Sequence, residues 1–304
     1  MLRLMLLKII QLFTSHIQIK GIPKLLWYSK KLFMGKDSIY KVYNNIKIKI
    51  DNNTNFHWLN VVNYGGYETI LLFEKLLRPG DIYIDIGANY GYMAINASRL
   101  VGATGTVIAI EPELRTLNLL KYNADLNNCN INVVQKAISD SEGETSFNVA
   151  TEIGLSRLDN SKNTTFGMIL QNKFIVQKTP LDTLVDNLVP NKDIRLVKID
   201  VEGHEMSILK GASKVIAKRK TVFMLEINHG ALSQNDITFQ DIFEFFVTRS
   251  HKVFWIHSHS ADWFRIGRYP TLEEVKDYNK YVNVYADIIA IPDNLTLKLN
   301  FPLC

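Results

Sequence analysis

Cysteine is scarce in this chain. Its 304 residues include two, Cys129 and Cys304, too few for a disulfide framework and without metal-ligand spacing. That excludes a small secreted scaffold and favours a reducing compartment, so a cytoplasmic location is expected. No uninterrupted stretch of about 18 apolar residues occurs, and no bilayer-spanning helix is expected. Internal repeats and low-complexity segments are also missing. Hydrophobic residues make up 47% and charged ones 21%, the balance of an ordinary folded chain. The length allows one large domain, or one domain with an extension.

Charge is unevenly spread. Residues 1–50 hold ten Lys or Arg and one acid, Asp37, for a net of +9; the remainder is net −4. A basic extension over residues 1–60 and a main domain over 61–304 are therefore expected. Residues 1–13 could be mistaken for a signal peptide, but Arg3 and Lys8 interrupt the apolar run and no small-residue cleavage site follows. Arg3, Lys8, Gln11 and Ser15 share one narrow face of a helix whose other side is apolar. The favoured role is packing against the main domain or a second subunit. The alternative is a helix lying on a membrane surface, helped by Lys20, Lys24, Lys30 and Lys31. Around Asn44-Asn45 the flanking runs predict a small hairpin.

The main domain is arranged around Asp81-Ile-Tyr-Ile-Asp85-Ile-Gly87-Ala88-Asn89-Tyr-Gly91. Apolar residues lead into a carboxylate and then glycines, the pattern of a buried strand breaking into a turn that opens a helix. Such a turn points backbone N–H groups at a ligand above the sheet edge. Gly87 and Gly91 supply positive φ or close approach. The dinucleotide fingerprint G-x-G-x-x-G is absent, because Asn89 and Tyr92 stand where it needs glycine. Asp85 would repel a pyrophosphate and hold an ammonium group. A second strand, Gly105–Ile110, ends in Glu111, placed to accept from ribose hydroxyls. A third, at 131–134, leads to Ala137, whose backbone is expected beside the adenine.

Further strands are expected at 144–149, 194–199, 222–225, 252–256 and 282–291, with helices at 67–77, 92–100, 181–184, 205–218 and 237–249. Residues 151–173 read as a loop. Strands alternating with helices predict a mostly parallel seven-stranded sheet covered on both faces.

Asp85-Ile-Gly-Ala-Asn89-Tyr-Gly91, Ala137-Ile-Ser-Asp140, Pro180-Leu-Asp182-Thr-Leu184 and Lys198-Ile-Asp200-Val-Glu202-Gly203-His204-Glu205 occur in that order. Together they resemble the FkbM family of methyltransferases, over roughly residues 64 to 228. The resemblance implies the class I methyltransferase fold, S-adenosylmethionine as donor and O-methylation of a hydroxyl, with sugars of glycans or similar metabolites as acceptors. Glu68, Asp85, Gly87, Ala88, Asn89, Gly91, Glu111 and Ala137 are then the donor-binding candidates. The amine-methylating tetrad N-P-P-Y is absent, so nucleic acid is not expected as a partner. Asp200, with His204 or His229 as proton acceptor, is the catalytic candidate, since histidine titrates near neutrality. Asp200, Glu226 and Asn228 at two neighbouring strand ends could hold Mg²⁺ through oxygen ligands. Glu205 is expected to be a helix-start acid, and His251, His257 and His259 surface or packing residues. The competing expectation is a non-catalytic protein, membrane-associated or partner-binding, that keeps the fold.

Overall fold

The computed structural model describes residues 39–50, 66–150, 157–158, 170–257, 270–281 and 285–295. The helix expected at residues 1–13, most of the expected loop 151–173 and His259 lie outside them.

The hairpin pairs β1 (Ile39–Lys41) with β2 (Lys47–Lys49). Asn44 and Asn45 turn it at φ 57° each, a left-handed conformation that asparagine tolerates. Then come α1 (Tyr67–Leu76), β3 (Ile82–Ile86), α2 (Tyr92–Val101), β4 (Thr106–Ile110), α3 (Leu114–Leu126) and β5 (Asn132–Val134). A separate four-stranded sheet follows, built from β6 (Ala137–Ile138), β7 (Gly143–Ala150), β8 (Arg157–Leu158) and β9 (Leu170–Thr179) in the order β6-β9-β7-β8. The chain returns through α4 (Leu181–Leu188), β10 (Leu196–Ile199), α5 (Glu205–Lys210), α6 (Ser213–Ala217) and β11 (Val222–Asn228). It closes with α7 (His229–Ser233), α8 (Phe239–Val247), β12 (His251–His257), β13 (Thr271–Glu274) and β14 (Tyr285–Pro292).

The main sheet runs β13-β12-β14-β11-β10-β3-β4-β5. Strands β5, β4, β3, β10 and β11 are parallel, and β14 enters antiparallel between β11 and β12. The order reverses between β3 and β10, the place where open α/β sheets leave a ligand crevice. This is the class I methyltransferase sheet, extended by β13 to eight strands instead of the expected seven. Thr271–Glu274 carries two acids in four residues, which hid its strand character.

Alternation along β3 sorts two cores. Ile82, Ile84 and Ile86 face one way with α4, α5, α6 and α8, while Tyr83 faces the other with α1 and α2. Asp85, two residues from Tyr83, shares the α1 side. The single helix expected over 205–218 is two. Gly211 lies against the backbone carbonyl of Ser139, where a Cβ would collide. The carboxylate of Asp182 accepts from Lys214 N at 2.8 Å and Val215 N at 3.0 Å, capping the second helix. The expected loop 151–173 contains β8 and the start of β9.

Two asparagines on α3 hold the hairpin. Asn127 accepts from Lys47 N at 2.9 Å and donates to Lys47 O at 2.7 Å. One turn earlier, Asn123 accepts from Lys49 N at 2.8 Å and donates to Lys49 O at 3.0 Å and Tyr90 O at 2.9 Å. Ile46, Ile48 and Ile50 pack beside Ile70, Tyr90, Tyr92 and Ile95.

Candidate functional site

The turn after β3 is drawn tightly against its neighbours. Gly87 has φ 80°, and a Cβ there would meet the backbone oxygen of Asp200; no other residue fits both conditions. Gly91 opens α2 at φ 89°. The N–H groups do not point outward as expected. Gly87 N and Ala88 N both donate to Ile110 O at 3.0 Å, Gly91 N donates to Ala88 O, and Asn89 N donates to Glu111 Oε2 at 3.0 Å. The turn is stitched to the end of β4, and these four donors are taken within the chain.

Asp85 is 1% exposed, and neither carboxylate oxygen makes a well-formed hydrogen bond, although the Tyr83 hydroxyl and Ala94 N lie near enough to favour its charged form. Burial pushes its pKa up to about 6, against the pull of Lys198. A buried carboxylate without well-formed hydrogen bonds is costly, and a cationic ligand group would relieve it. Strand register surrounds it with charge. Asp85 is the β-partner of Lys198, and Glu226 of Asp287. Lys198 donates to Asp200 Oδ2 at 2.6 Å. Burial disfavours the Lys198 ammonium, yet Asp200 and Asp85 together hold its pKa above the usual lysine range. Burial alone would raise Asp200, but Lys198 and a hydrogen bond with Glu226 keep it below the ordinary carboxylate range. Glu226 goes the other way, pushed well up by burial and by Asp200. Burial also lifts Asp287 to about 6, with Lys198 opposing and Asp200 and Glu68 adding to the rise.

Glu111 is buried at the end of β4. Its carboxylate accepts from Asn89 N and, through Oε1, from Glu113 N at 2.9 Å. Burial carries its pKa to about 8, partly offset by those two bonds. Each oxygen keeps a second lone pair for a ligand hydroxyl. Glu68 is buried in the first turn of α1. Ala137 is buried in β6 and packs with Phe147 and Val176 of the smaller sheet.

The family profile of the methyltransferase FkbM domain matches residues 85–254, more than half of the chain. The chain belongs to the FkbM methyltransferase family. Hexuronic acid methyltransferase AglP of Haloferax volcanii is 26% identical over 175 residues, spanning 57% of this chain and 66%, just under two thirds, of that protein. A crystal structure of methyltransferase FkbM from Methylobacillus flagellatus is 12% identical and covers 78% of this chain and 54% of that one, with a TM-score of 0.42. Aeropyrum pernix fibrillarin with natively bound S-adenosyl-L-methionine is also 12% identical, covering 84% and 82% of the two chains at a TM-score of 0.42.

Within this FkbM domain the two histidines differ. His204 is buried and precedes α5 directly. His229 Nε2 lies 3.0 Å from Tyr281 O, and its ring meets Phe239 edge-on. A carbonyl can only accept, so that nitrogen carries the proton. His251 is a packing residue against Phe223 and Phe246, and His257 pairs with Glu273 at 2.7 Å.

The expected metal site is not assembled. Asn228 Oδ1, its one atom able to ligate, caps α7 by accepting from Ala231 N at 3.2 Å, and its amide donates to Glu202 at 3.0 Å. Lys198 takes Asp200. Among the described residues no three His, Cys, Asp or Glu side chains converge as a metal-ion site.

Sequence reasoning missed Lys198 and Asp287. A lysine inside the buried strand Leu196–Ile199 and an acid amid Ile288, Ile289 and Ala290 were the available signals. Glu205, expected as a helix-start acid, stands in the first turn of α5. It is 1% exposed, its Oε1 accepts from Gly203 N at 3.1 Å and its Oε2 has no partner.

Proposed function

We propose that this protein transfers a methyl group from S-adenosylmethionine to a hydroxyl of a sugar, within a glycan or a similar hydroxylated metabolite. The observation that carries the reading is the buried carboxylate of Asp85, without a well-formed hydrogen bond, beside a turn whose N–H groups at Gly87, Ala88, Asn89 and Gly91 are taken within the chain. That combination suits a ligand with an ammonium group and no phosphate. Family membership supports the transfer, and the name of the Haloferax relative supports a sugar acceptor. Asp85 and Glu68 would face the amino-acid end of the donor, and Glu111 its ribose hydroxyls.

The bound donor supplies an electrophilic methyl on a sulfonium. The chain must then hold the acceptor oxygen in line with it, about 3 Å away. Asp200 is more open than its partner, its side chain 35% exposed against 9% for Lys198. Lys198 and Glu226 both bond this carboxylate, and a lone pair left on it accepts from the acceptor hydroxyl. The bound donor would give up its methyl to the acceptor oxygen and keep the C–S electron pair on sulfur. The hydroxyl proton passes to His204, directly or through water.

Labelled donor and a panel of neutral and uronic-acid glycans test the reaction. Base-stable label on a sugar oxygen is expected. Label confined to amines, or to base-labile esters, overturns O-methylation of a hydroxyl. For the donor pocket, Glu111→Ala is expected to weaken S-adenosylhomocysteine binding by about 1–3 kcal/mol, the cost of leaving a buried ribose hydroxyl without its partner. Calorimetry reads it, and an unchanged dissociation constant removes Glu111 from the ribose.

A further inference from the structure

We infer that Lys198 is the resident cation of the strand-end cluster and occupies the place that a divalent ion would otherwise take, so that the site works on its own ammonium. The role given to Asp200 here rests on the methyl-transfer reading; the charge arrangement does not. Acids at the ends of two adjacent parallel strands, with a third on the next strand, are oxygen ligands of the kind that collect Mg²⁺ or Mn²⁺. The chain fills this position with a side chain. Lys198 lies one strand pair from Asp85, bonds Asp200 at 2.6 Å and is 9% exposed. Asp200 is more open, so the ammonium holds it from the buried side, and Glu226 bonds the same carboxylate.

Alternation places Asp85, Lys198 and Asp200 on one face, and the pairing of Glu226 with Asp287 extends the row. Four carboxyl groups therefore stand around one ammonium, and Glu68 approaches from α1. A lysine ammonium is a compact point charge. It can satisfy several oxygens as an ion does, but it is fixed to the strand and cannot be removed by a chelator. The excess of acid over this one cation also leaves room for a positively charged ligand, for which the buried oxygens of Asp85, without a well-formed hydrogen bond, are the second mark.

The experiment titrates the full chain with Mn²⁺ and reads the bound ion by electron paramagnetic resonance. Wild-type protein is expected to hold no stoichiometric ion at this site. Lys198→Ala should gain one Mn²⁺ per chain, bound at least about tenfold more tightly than by wild type, because carboxylates freed of their partner become ligands. The gain should vanish in Lys198→Ala/Asp200→Asn. A Lys198→Ala protein that folds only with Mn²⁺ present also supports the assignment. Stoichiometric wild-type binding that Asp200→Asn abolishes would overturn it. So would a folded Lys198→Ala without new Mn²⁺ binding, or an unfolded one that Mn²⁺ does not restore. Wild-type calorimetry with S-adenosylhomocysteine separates the two questions. Silence there sinks the methyl-transfer reading and leaves the Mn²⁺ comparison intact.

Discussion

Asp85→Asn is expected to weaken S-adenosylhomocysteine binding about 10- to 100-fold, the range set by roughly 1.5–3 kcal/mol for a hydrogen bond to a charged group. The substitution keeps the shape of the side chain and removes its charge. Fold should survive it, because neither oxygen of Asp85 makes a well-formed hydrogen bond within the chain. The melting temperature at neutral pH should hold or rise. Burial raises the folded pKa to about 6, above the unfolded value of about 4. The folded chain thus keeps a proton the unfolded chain has lost, and stability falls as pH climbs through that window. Asparagine abolishes the fall. Ligand binding should carry the opposite slope. Below about pH 6 Asp85 is protonated and cannot counter an ammonium, so wild-type affinity should drop about tenfold for each further unit. Above that it levels off. Glu111, lifted by burial to about 8, titrates in a separate window, so the step near 6 is assigned by its loss in Asp85→Asn. Calorimetry across pH 5 to 8 measures both variants. A step that persists in Asp85→Asn would move the ammonium elsewhere.

Asp200→Asn is expected to act on turnover and not on the donor. The amide cannot hold the acceptor hydroxyl as an anion does, and it weakens the bond to Lys198 Nζ, now 2.6 Å. Turnover should fall at least tenfold, about 1.4 kcal/mol of transition-state stabilisation, while the S-adenosylhomocysteine dissociation constant shifts little. Initial rates with labelled donor, set beside calorimetry on the same preparation, decide it. Full turnover in Asp200→Asn would leave acceptor positioning to other groups. Equal losses in binding and rate would make Asp200 a structural prop for the turn, whose Gly87 lies against its backbone oxygen.

Local patterns in the sequence carried the parts of this site that lie along one strand and its turn. Ile82 to Gly91 announces the strand, the turn and the helix, and Glu111 announces itself as an acid closing an apolar run. Lys198 with Asp85, or Glu226 with Asp287, could not be read that way. Those pairs exist only through strand register between segments far apart in the chain, and period-two patterning does not say which strand lies beside which. The break at Gly211 was hidden for the same reason. It depends on the Ser139 carbonyl and on a cap from Asp182, neither of which is local. The donors of the glycine turn were misplaced because their use depends on how closely β4 ends beside them. Their partners, Ile110 O and Glu111, belong to another element.

The paired asparagines of α3 give the hairpin a standing that its charge conceals. Asn123 and Asn127, one helical turn apart, present amides to alternate residues of β2 much as a neighbouring strand would, and Asn123 reaches on to the carbonyl of Tyr90 in the donor turn. A helix thus serves as the sheet edge that β2 would otherwise lack. Net charge divides this chain near residue 60, but hydrogen bonding does not. The hairpin from Ile39 onward is bonded into the main domain, and a pull on it would reach, through Asn123 and through the packing of Ile46, Ile48 and Ile50 beside Tyr90, the loop proposed to hold the donor.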